Sequence, residues 1–149
     1  AKNSFMSSTF WTERIGPAAA LKTLETMEKL KSWEKITNIG KNVQKIWLKL
    51  SSRHKLKIDI DGLPSISKFY FSNKHSEFKT FITQEFLKNN FLATNAMYAC
   101  ISHNKKVLTR YEELLDEIFF RISEITKKDQ DIKKFIVTDI AKPPFSRLN

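Results

Sequence analysis

The sequence is poor in cysteine and glycine, and both shortages restrict the chemistry available to it. The chain has 149 residues with one cysteine, Cys100, and three glycines. One thiol excludes an internal disulfide and a cysteine-based zinc site, and the three histidines lie far apart, so we expect no metal. Three glycines leave little room for a P-loop or a glycine-rich dinucleotide turn. Cys100 lies in an apolar run, where a buried small hydrophobe is expected.

Long apolar runs are also missing. No run reaches the roughly 18 residues that a membrane helix needs. The start of the chain lacks the basic, apolar and small-residue regions of a signal peptide. We therefore expect a cytoplasmic protein with no membrane partner. The length suffices for one domain that buries roughly 70% of the surface of its unfolded chain.

Acidic residues are few compared with basic ones. The chain carries 26 Lys and Arg against 16 Asp and Glu, a formal net charge of +10. Such a charge suits a protein that binds nucleic acid. The lysines are scattered over every segment, however, and no nucleic-acid-binding motif accompanies them, so we expect no nucleic acid. A non-enzymatic basic α+β module that binds an acidic partner or nucleic acid stays open as the alternative function.

Hydrophobic periodicity predicts an α+β fold, with a small antiparallel sheet of about three strands covered on one face by helices. Apolar residues one helical turn apart predict the long helices, and alternation predicts the strands. The helices are expected at residues 17–31, 33–52, 77–88, 104–126 and 130–141. The strands are expected at 56–60, 65–71 and 91–93, with a loop at 94–98. Ser76 and Ser102 are expected to cap the third and fourth of these helices.

The most distinctive stretch begins at residue 7 with two serines, a threonine and two aromatic residues, followed by Gly16-Pro17 and three alanines. Hydroxyl groups beside free backbone N–H groups suit a phosphate or a carboxylate. Pro17 fits the first turn of a helix, where a missing N–H costs nothing. The stretch therefore indicates either an anion-binding turn that leads into a helix or a plain helix cap.

The run SSTFWTERIGPAAALKTLETME resembles the segment that opens the C-terminal small domain of class III aminotransferases, which use pyridoxal 5′-phosphate (PLP). It is most similar to the glutamate-1-semialdehyde 2,1-aminomutase-like branch, and the likeness continues through SHNKKVLTRYEELLDEIF to PFSRLN. The resemblance implies the C-terminal domain fold of fold-type I PLP enzymes. It implies an inter-domain segment at 1–16 with a phosphate-contact turn, and the small domain at 17–149. The large PLP domain is then missing from this chain.

The same resemblance implies a function and a set of site residues. The whole protein would be an aminotransferase or aminomutase that moves the amino group of a small molecule, working as a homodimer. This chain would not be catalytic by itself, because the Schiff-base lysine lies upstream in the family and PLP binds only with the large domain. Thr9 would contact the cofactor phosphate of the neighbouring subunit, with Ser8 beside it where many relatives have glycine. Asn95 and Tyr98 would stand at the edge of the substrate pocket; the alternative is that their loop, 94–98, is a plain connection between a strand and a helix.

Overall fold

A computed structural model describes residues 13–141 of the chain. It divides into two compact units, Ala1–Glu34 and Lys35–Asn149, which are described separately below. The elements in chain order are α1 (Ile15–Leu30), α2 (Ser32–His54), β1 (Ile58–Leu63), β2 (Ile66–Phe71), α3 (His75–Lys88), β3 (Ala96–Tyr98), α4 (Lys105–Lys127) and a 3-10 helix (Ile132–Phe135). This composition confirms the predicted α+β class. Among residues 13–141, no helix has both the length and the apolarity needed to cross a bilayer.

The sheet has the strand order β1-β2-β3, and both pairings are antiparallel. Because side chains alternate along a strand, each strand divides between two faces. On β2 the side chains of Ser67, Phe69 and Phe71 are buried, whereas Ile66 and Lys68 are exposed. One face therefore packs against the helices and the other is open, as the sequence predicted.

Aromatic side chains fill the space between the sheet and the helices. Phe69 lies at the centre, with its ring 5.0 Å from that of Trp47 on α2 and 5.8 Å from that of Phe119 on α4. These edge-on arrangements are the ones that aromatic quadrupoles favour. The Trp47 indole N–H donates a 2.7 Å hydrogen bond to the Tyr111 hydroxyl, so the buried polar atoms of both rings have a partner.

Gly40 allows α2 to approach the turn between β1 and β2. A Cβ at this position would lie 1.7 Å from the carbonyl oxygen of Pro64 and 2.3 Å from its carbonyl carbon. Only a residue without a side chain fits there. The glycine weakens the helix locally, as the sequence indicates, and it does so at the point where α2 meets the hairpin.

Helix α1 belongs to the first unit and buries none of its own residues. Its apolar side chains Leu21, Leu24 and Met27 are exposed, and so are the three alanines that begin it. The helix ends at Leu30, where Lys31 adopts the left-handed conformation and its N–H bonds to the carbonyls of the last turn. The apolar side of α1 is therefore available as a contact surface.

The third strand is not where the periodicity placed it. Residues 91–93 form no strand, and the pairing segment is Ala96–Tyr98, inside the expected loop at 94–98. The apolar residues at 91–93 were misleading, because Phe91 and Ala93 pack against the core from an irregular connection. The helix expected at 130–141 is likewise wrong, since only the four residues Ile132–Phe135 form a 3-10 turn.

Both expected serine caps are wrong. α4 is capped by Asn104, which lies two residues beyond Ser102. The side-chain oxygen of Asn104 accepts a 3.1 Å hydrogen bond from the Val107 N–H. α3 begins at His75 after Lys74, which is left-handed and provides no side-chain cap. Ser76 therefore lies already within the helix. At the other end of α3 the predicted stop holds, because Asn90 takes a positive φ of 55°.

Candidate functional site

The two residues expected at the cofactor phosphate, Thr9 and Ser8, lie outside residues 13–141, and their role stays a prediction. The domain boundary expected near residue 16 also stays a prediction. The described part of the chain does contain the expected pocket-edge residues, Asn95 and Tyr98, on and beside β3.

Tyr98 lies on the open face of the sheet, at the end of an apolar row that crosses all three strands. Leu63 pairs with Ile66, and Ile66 pairs with Tyr98. Directly paired residues share a face. The three side chains are 71%, 55% and 72% exposed, respectively. This open-face row, Leu63-Ile66-Tyr98, is an apolar surface that no described residue covers.

Leu63 and Ile66, the first two members of the open-face row, are not among the site residues expected from the sequence. The sequence does indicate that Ile66 is on the open face, because it is an odd number of residues away from Phe69 and Phe71 in the same strand. Two-residue alternation therefore separates it from the buried set. Leu63 lies outside the strand expected at 56–60, but β1 extends through it.

Asn95 is 5% exposed, and its side chain bonds to the neighbouring strand. Its amide nitrogen donates a 2.8 Å hydrogen bond to the carbonyl oxygen of Phe69. The backbone N–H of Phe69 in turn donates to the Asn95 carbonyl at 2.9 Å. Thr94 donates its hydroxyl proton to the Asn95 side-chain oxygen at 3.3 Å. Asn95 thus continues the pairing beyond the end of β3 and orients the segment that leads to Tyr98.

Lys68 is the only lysine on the strands, and its surroundings favour its charged form. The ammonium lies 5.2 Å from the centre of the Tyr70 ring and 3.9 Å from a carboxylate oxygen of Asp61. The Tyr70 hydroxyl and, more weakly, the Asp61 charge raise the pKa of Lys68. A lysine that forms a Schiff base needs a lowered pKa. Lys68 therefore lacks the lowered pKa that such a lysine needs, and the expectation that the Schiff-base lysine lies upstream of this chain stays a prediction.

A long groove runs along the β3 edge of the sheet, between α3 and the beginning of α4. Its volume is about 960 Å³. Tyr98 lines it and Asn95 does not. The lining residues are Lys79, Thr80, Thr83, Gln84, Leu87, Lys88, Phe91, Leu92, Ala93, Thr94, Ala96, Met97, Tyr98, His103, Val107, Leu108, Tyr111, Val137, Thr138 and Ala141. The sequence did not reveal this groove, because its walls come from four separate segments.

Cys100 is exposed, contrary to the expectation of a buried hydrophobe. The apolar run does not enter the core at this point, because Cys100 and Ile101 are both exposed in the turn that leads to α4. The backbone N–H of Ser102 points at the sulfur, 3.5 Å away, and lowers the pKa of the thiol. Nδ1 of His103 accepts a 3.1 Å hydrogen bond from the Cys100 N–H. The pair therefore stabilises a turn.

The remaining histidines are also bonded within the fold. His54 on α2 lies 2.6 Å from Asp116 on α4, which Arg53 contacts as well. Nδ1 of His75 accepts from the Phe71 N–H at 3.3 Å. Burial, and secondly the charge of Lys79, lower the pKa of His75. Within residues 13–141 there is no group of three His, Cys, Asp or Glu that could hold a metal ion.

Comparison with known proteins identifies the fold. No protein-family model matches the sequence, and no curated protein sequence matches it. The structure is similar to part of the solved PLP internal aldimine form of the FumI protein from Sphingopyxis sp. MTA144, with a TM-score of 0.73 and 19% sequence identity. The match covers 85% of this chain and 31% of the FumI chain. The fold of this chain is therefore similar to one part of a PLP-containing protein, and the chain spans less than a third of that protein's length.

Proposed function

We propose that the chain is the small domain of a PLP-dependent enzyme, and that its whole protein transfers an amino group. The observation that carries the proposal is the fold shared with part of FumI, over 85% of this chain. The run from Ser7 to Glu28 supports the finer assignment to class III aminotransferases of the glutamate-1-semialdehyde aminomutase-like branch. The cofactor would be bound only with the large domain.

The open face of the sheet provides a contact for that large domain. Its row, Leu63-Ile66-Tyr98, is apolar and exposed, and soluble proteins rarely leave such a surface uncovered without a partner. The exposed apolar side of α1 is a second contact surface, and we assign it to the large domain or to the second subunit of a homodimer. The three alanines at its start permit close approach of another backbone.

The role of this chain toward the cofactor is binding and enclosure. PLP supplies an electron sink for the bonds at the amino-bearing carbon. Thr9 would donate its hydroxyl hydrogen bond to the phosphate of PLP held by the neighbouring subunit, with Ser8 beside it. Tyr98 would form part of the wall of the substrate pocket, and Asn95 holds the backbone that leads to Tyr98.

The proposal is tested by the coding sequence upstream of Ala1 and by the protein that it encodes. We expect a large domain with a lysine at the end of a strand, and lysine-bound PLP in the purified protein.

A substitution tests the role of Thr9. Thr9→Ala should weaken PLP binding about 10- to 100-fold, because that is the loss of affinity expected when a charge-assisted hydrogen bond to phosphate is removed. Thr12→Ala is the matched control from the same stretch. An upstream sequence without such a domain would overturn the proposal, and unchanged PLP affinity in Thr9→Ala would remove Thr9 from the site.

The contact on the open face has its own test, with two positions of nearly equal exposure. Ile66 is 55% exposed on the sheet, and Leu48 is 56% exposed on α2. We expect Ile66→Asp to lower the thermal midpoint of the full-length protein more than Leu48→Asp does. In the 149-residue chain alone, the two variants should differ little. Equal effects in the full-length protein would show that the large domain does not cover the row.

The alternative, a basic module for an acidic partner, is favoured by one surface feature. Lys41 and Lys45 are exposed on one side of α2, and Lys49 follows them. Lys49 already pairs with Glu112 at 2.7 Å, which reduces the charge available there. Binding through these lysines should weaken steeply with salt. An acidic partner retained by the 149-residue chain at low salt and lost after Lys41→Glu would favour the module.

A further inference from the structure

We propose that the groove along β3 binds a small molecule with an apolar body and one carboxylate group. This goes beyond the proposed function, because the groups that would hold the ligand lie on α3, α4 and the segment between them, and of the groove's lining only Tyr98 was assigned to the substrate pocket. The groove has a volume of about 960 Å³. That is at the upper end of the roughly 300–1,000 Å³ typical of ligand sites.

The body of the groove suits an apolar ligand. Leu87 and Phe91 line it from the end of α3 and the segment after it, Met97 from β3, and Val107 and Leu108 from α4. Burying an apolar chain against such side chains contributes roughly 25 cal/mol for each Å² removed from water. The apolar floor therefore supplies affinity, and the polar groups at its margin select the ligand.

The charges at the margin select an anion. Two lysines line the groove, Lys79 and Lys88, and no Asp or Glu of the described residues does. His103 lines it as well, but its Nδ1 accepts a hydrogen bond from the Cys100 N–H. Lys88 already contacts the buried Glu85 at 2.7 Å. In the described part of the chain, no carboxylate lies within bonding distance of Lys79. The Thr83 hydroxyl, one turn further along α3, is already bonded to the Lys79 carbonyl and to the Thr94 hydroxyl, both at 3.0 Å. The Lys79 ammonium is therefore the group available to an anion.

The wall that residues 137–141 form is held in place by hydrogen bonds to α3, so the groove is preformed. The Gln84 side chain donates to the carbonyl of Phe135 at 2.9 Å and accepts from the N–H of Val137 at 2.8 Å. The hydroxyl of Thr80 accepts from the N–H of Ala141 at 3.0 Å. Residues 135–141 are thereby attached along α3. A preformed site spares a ligand the entropy of ordering it.

Calorimetric titration of the 149-residue chain with decanoate tests the proposal, with decan-1-ol and decyltrimethylammonium as matched ligands. We expect saturable binding of one decanoate per chain, weaker binding of the alcohol and weakest binding of the cation. Equal affinities for the acid and the alcohol would overturn the carboxylate assignment. No saturable binding of decanoate would overturn the site.

A charge reversal locates the binding in the groove. Lys79→Glu should weaken decanoate binding about fivefold or more and leave decan-1-ol nearly unchanged. Lys79→Arg should retain it. The control is Lys41→Glu, which makes the same charge change on α2 at an exposed position outside the groove. Circular dichroism confirms that each variant is folded. If Lys79→Glu and Lys41→Glu behave alike, the groove is not the site.

Discussion

Two glycine-to-alanine substitutions in helices should change stability in opposite directions. Gly40 lies in α2 and faces the carbonyl of Pro64, where an added Cβ would be 1.7 Å from the oxygen. Ordinary contact begins near 3.4 Å, so the turn would have to move by about 1.7 Å. The turn is fixed by the pairing of Leu63 with Ile66 on either side of it. Gly16 in α1 has nothing within 4 Å of the same added atom.

The magnitudes decide the outcome at each position. Alanine is favoured over glycine in a helix by about 0.8–1 kcal/mol. Inserting an atom into a close-packed contact costs about 1–3 kcal/mol and occasionally more. At Gly40 the clash far exceeds an ordinary overpacking, so its cost should be at least about 3 kcal/mol. After the helix preference is subtracted, we expect Gly40→Ala to reduce the free energy of unfolding by about 2 kcal/mol or more. At Gly16 the helix preference acts without such a clash, but Pro17 disfavours helical backbone in a preceding residue that has a Cβ, so Gly16→Ala should increase helicity only slightly.

Urea unfolding followed by far-ultraviolet circular dichroism measures both effects. Gly40→Ala should lower the urea midpoint, and the thermal midpoint should fall by about 2–4 °C for each kcal/mol lost. Gly16→Ala should lower neither midpoint and should slightly strengthen the helical signal. A Gly40→Ala chain as stable as the parent would refute the close approach of α2 to the hairpin, because the helix preference alone predicts stabilisation.

Three further substitution experiments follow from the hydrogen bonds. Asn104→Ala should cost about 0.5–2 kcal/mol, because the Val107 N–H loses its cap, whereas Ser102→Ala should change the unfolding midpoint little. Tyr111→Phe should cost about 1–3 kcal/mol in urea unfolding, because the buried Trp47 N–H loses its acceptor. Removing both partners together should cost less than the sum of the single changes. Burial raises the pKa of Tyr111, so the parent should lose stability as pH rises above about 10, where the unfolded tyrosine ionises. Tyr111→Phe should show a smaller loss over the same alkaline range, and parallel curves would contradict the burial of the hydroxyl.

The sequence predicted the helices and the open sheet because their signals are local. Val43, Trp47 and Leu50 recur at helical spacing and are all buried. Phe69 and Phe71 alternate with Lys68 and define the two faces of β2. Such patterns predict the structure correctly because each element buries one side, and the apolar residues of that side recur at the period of the element.

The errors arose where tertiary contacts override local preference. β3 contains three residues, too few for alternation to identify it, and its position depends on the hydrogen bonds of Asn95 to Phe69. Asn104 competes with Ser102 as a cap, and only the path of the chain decides between them. Nothing in the sequence near Lys79 indicates that Val107 and Val137 line the same groove.

The side chain of Gln84 takes the place of a neighbouring strand for the segment after the 3-10 helix. Its amide nitrogen donates to Phe135 and its oxygen accepts from Val137. An amide can do both through one planar group, whereas a carboxylate only accepts. Deamidation of this one residue would set an oxygen against the Phe135 carbonyl and weaken the attachment of the segment to α3, whereas the bond from the Ala141 N–H to Thr80 would remain. The loss of one side-chain amide nitrogen would thus loosen one wall of the groove.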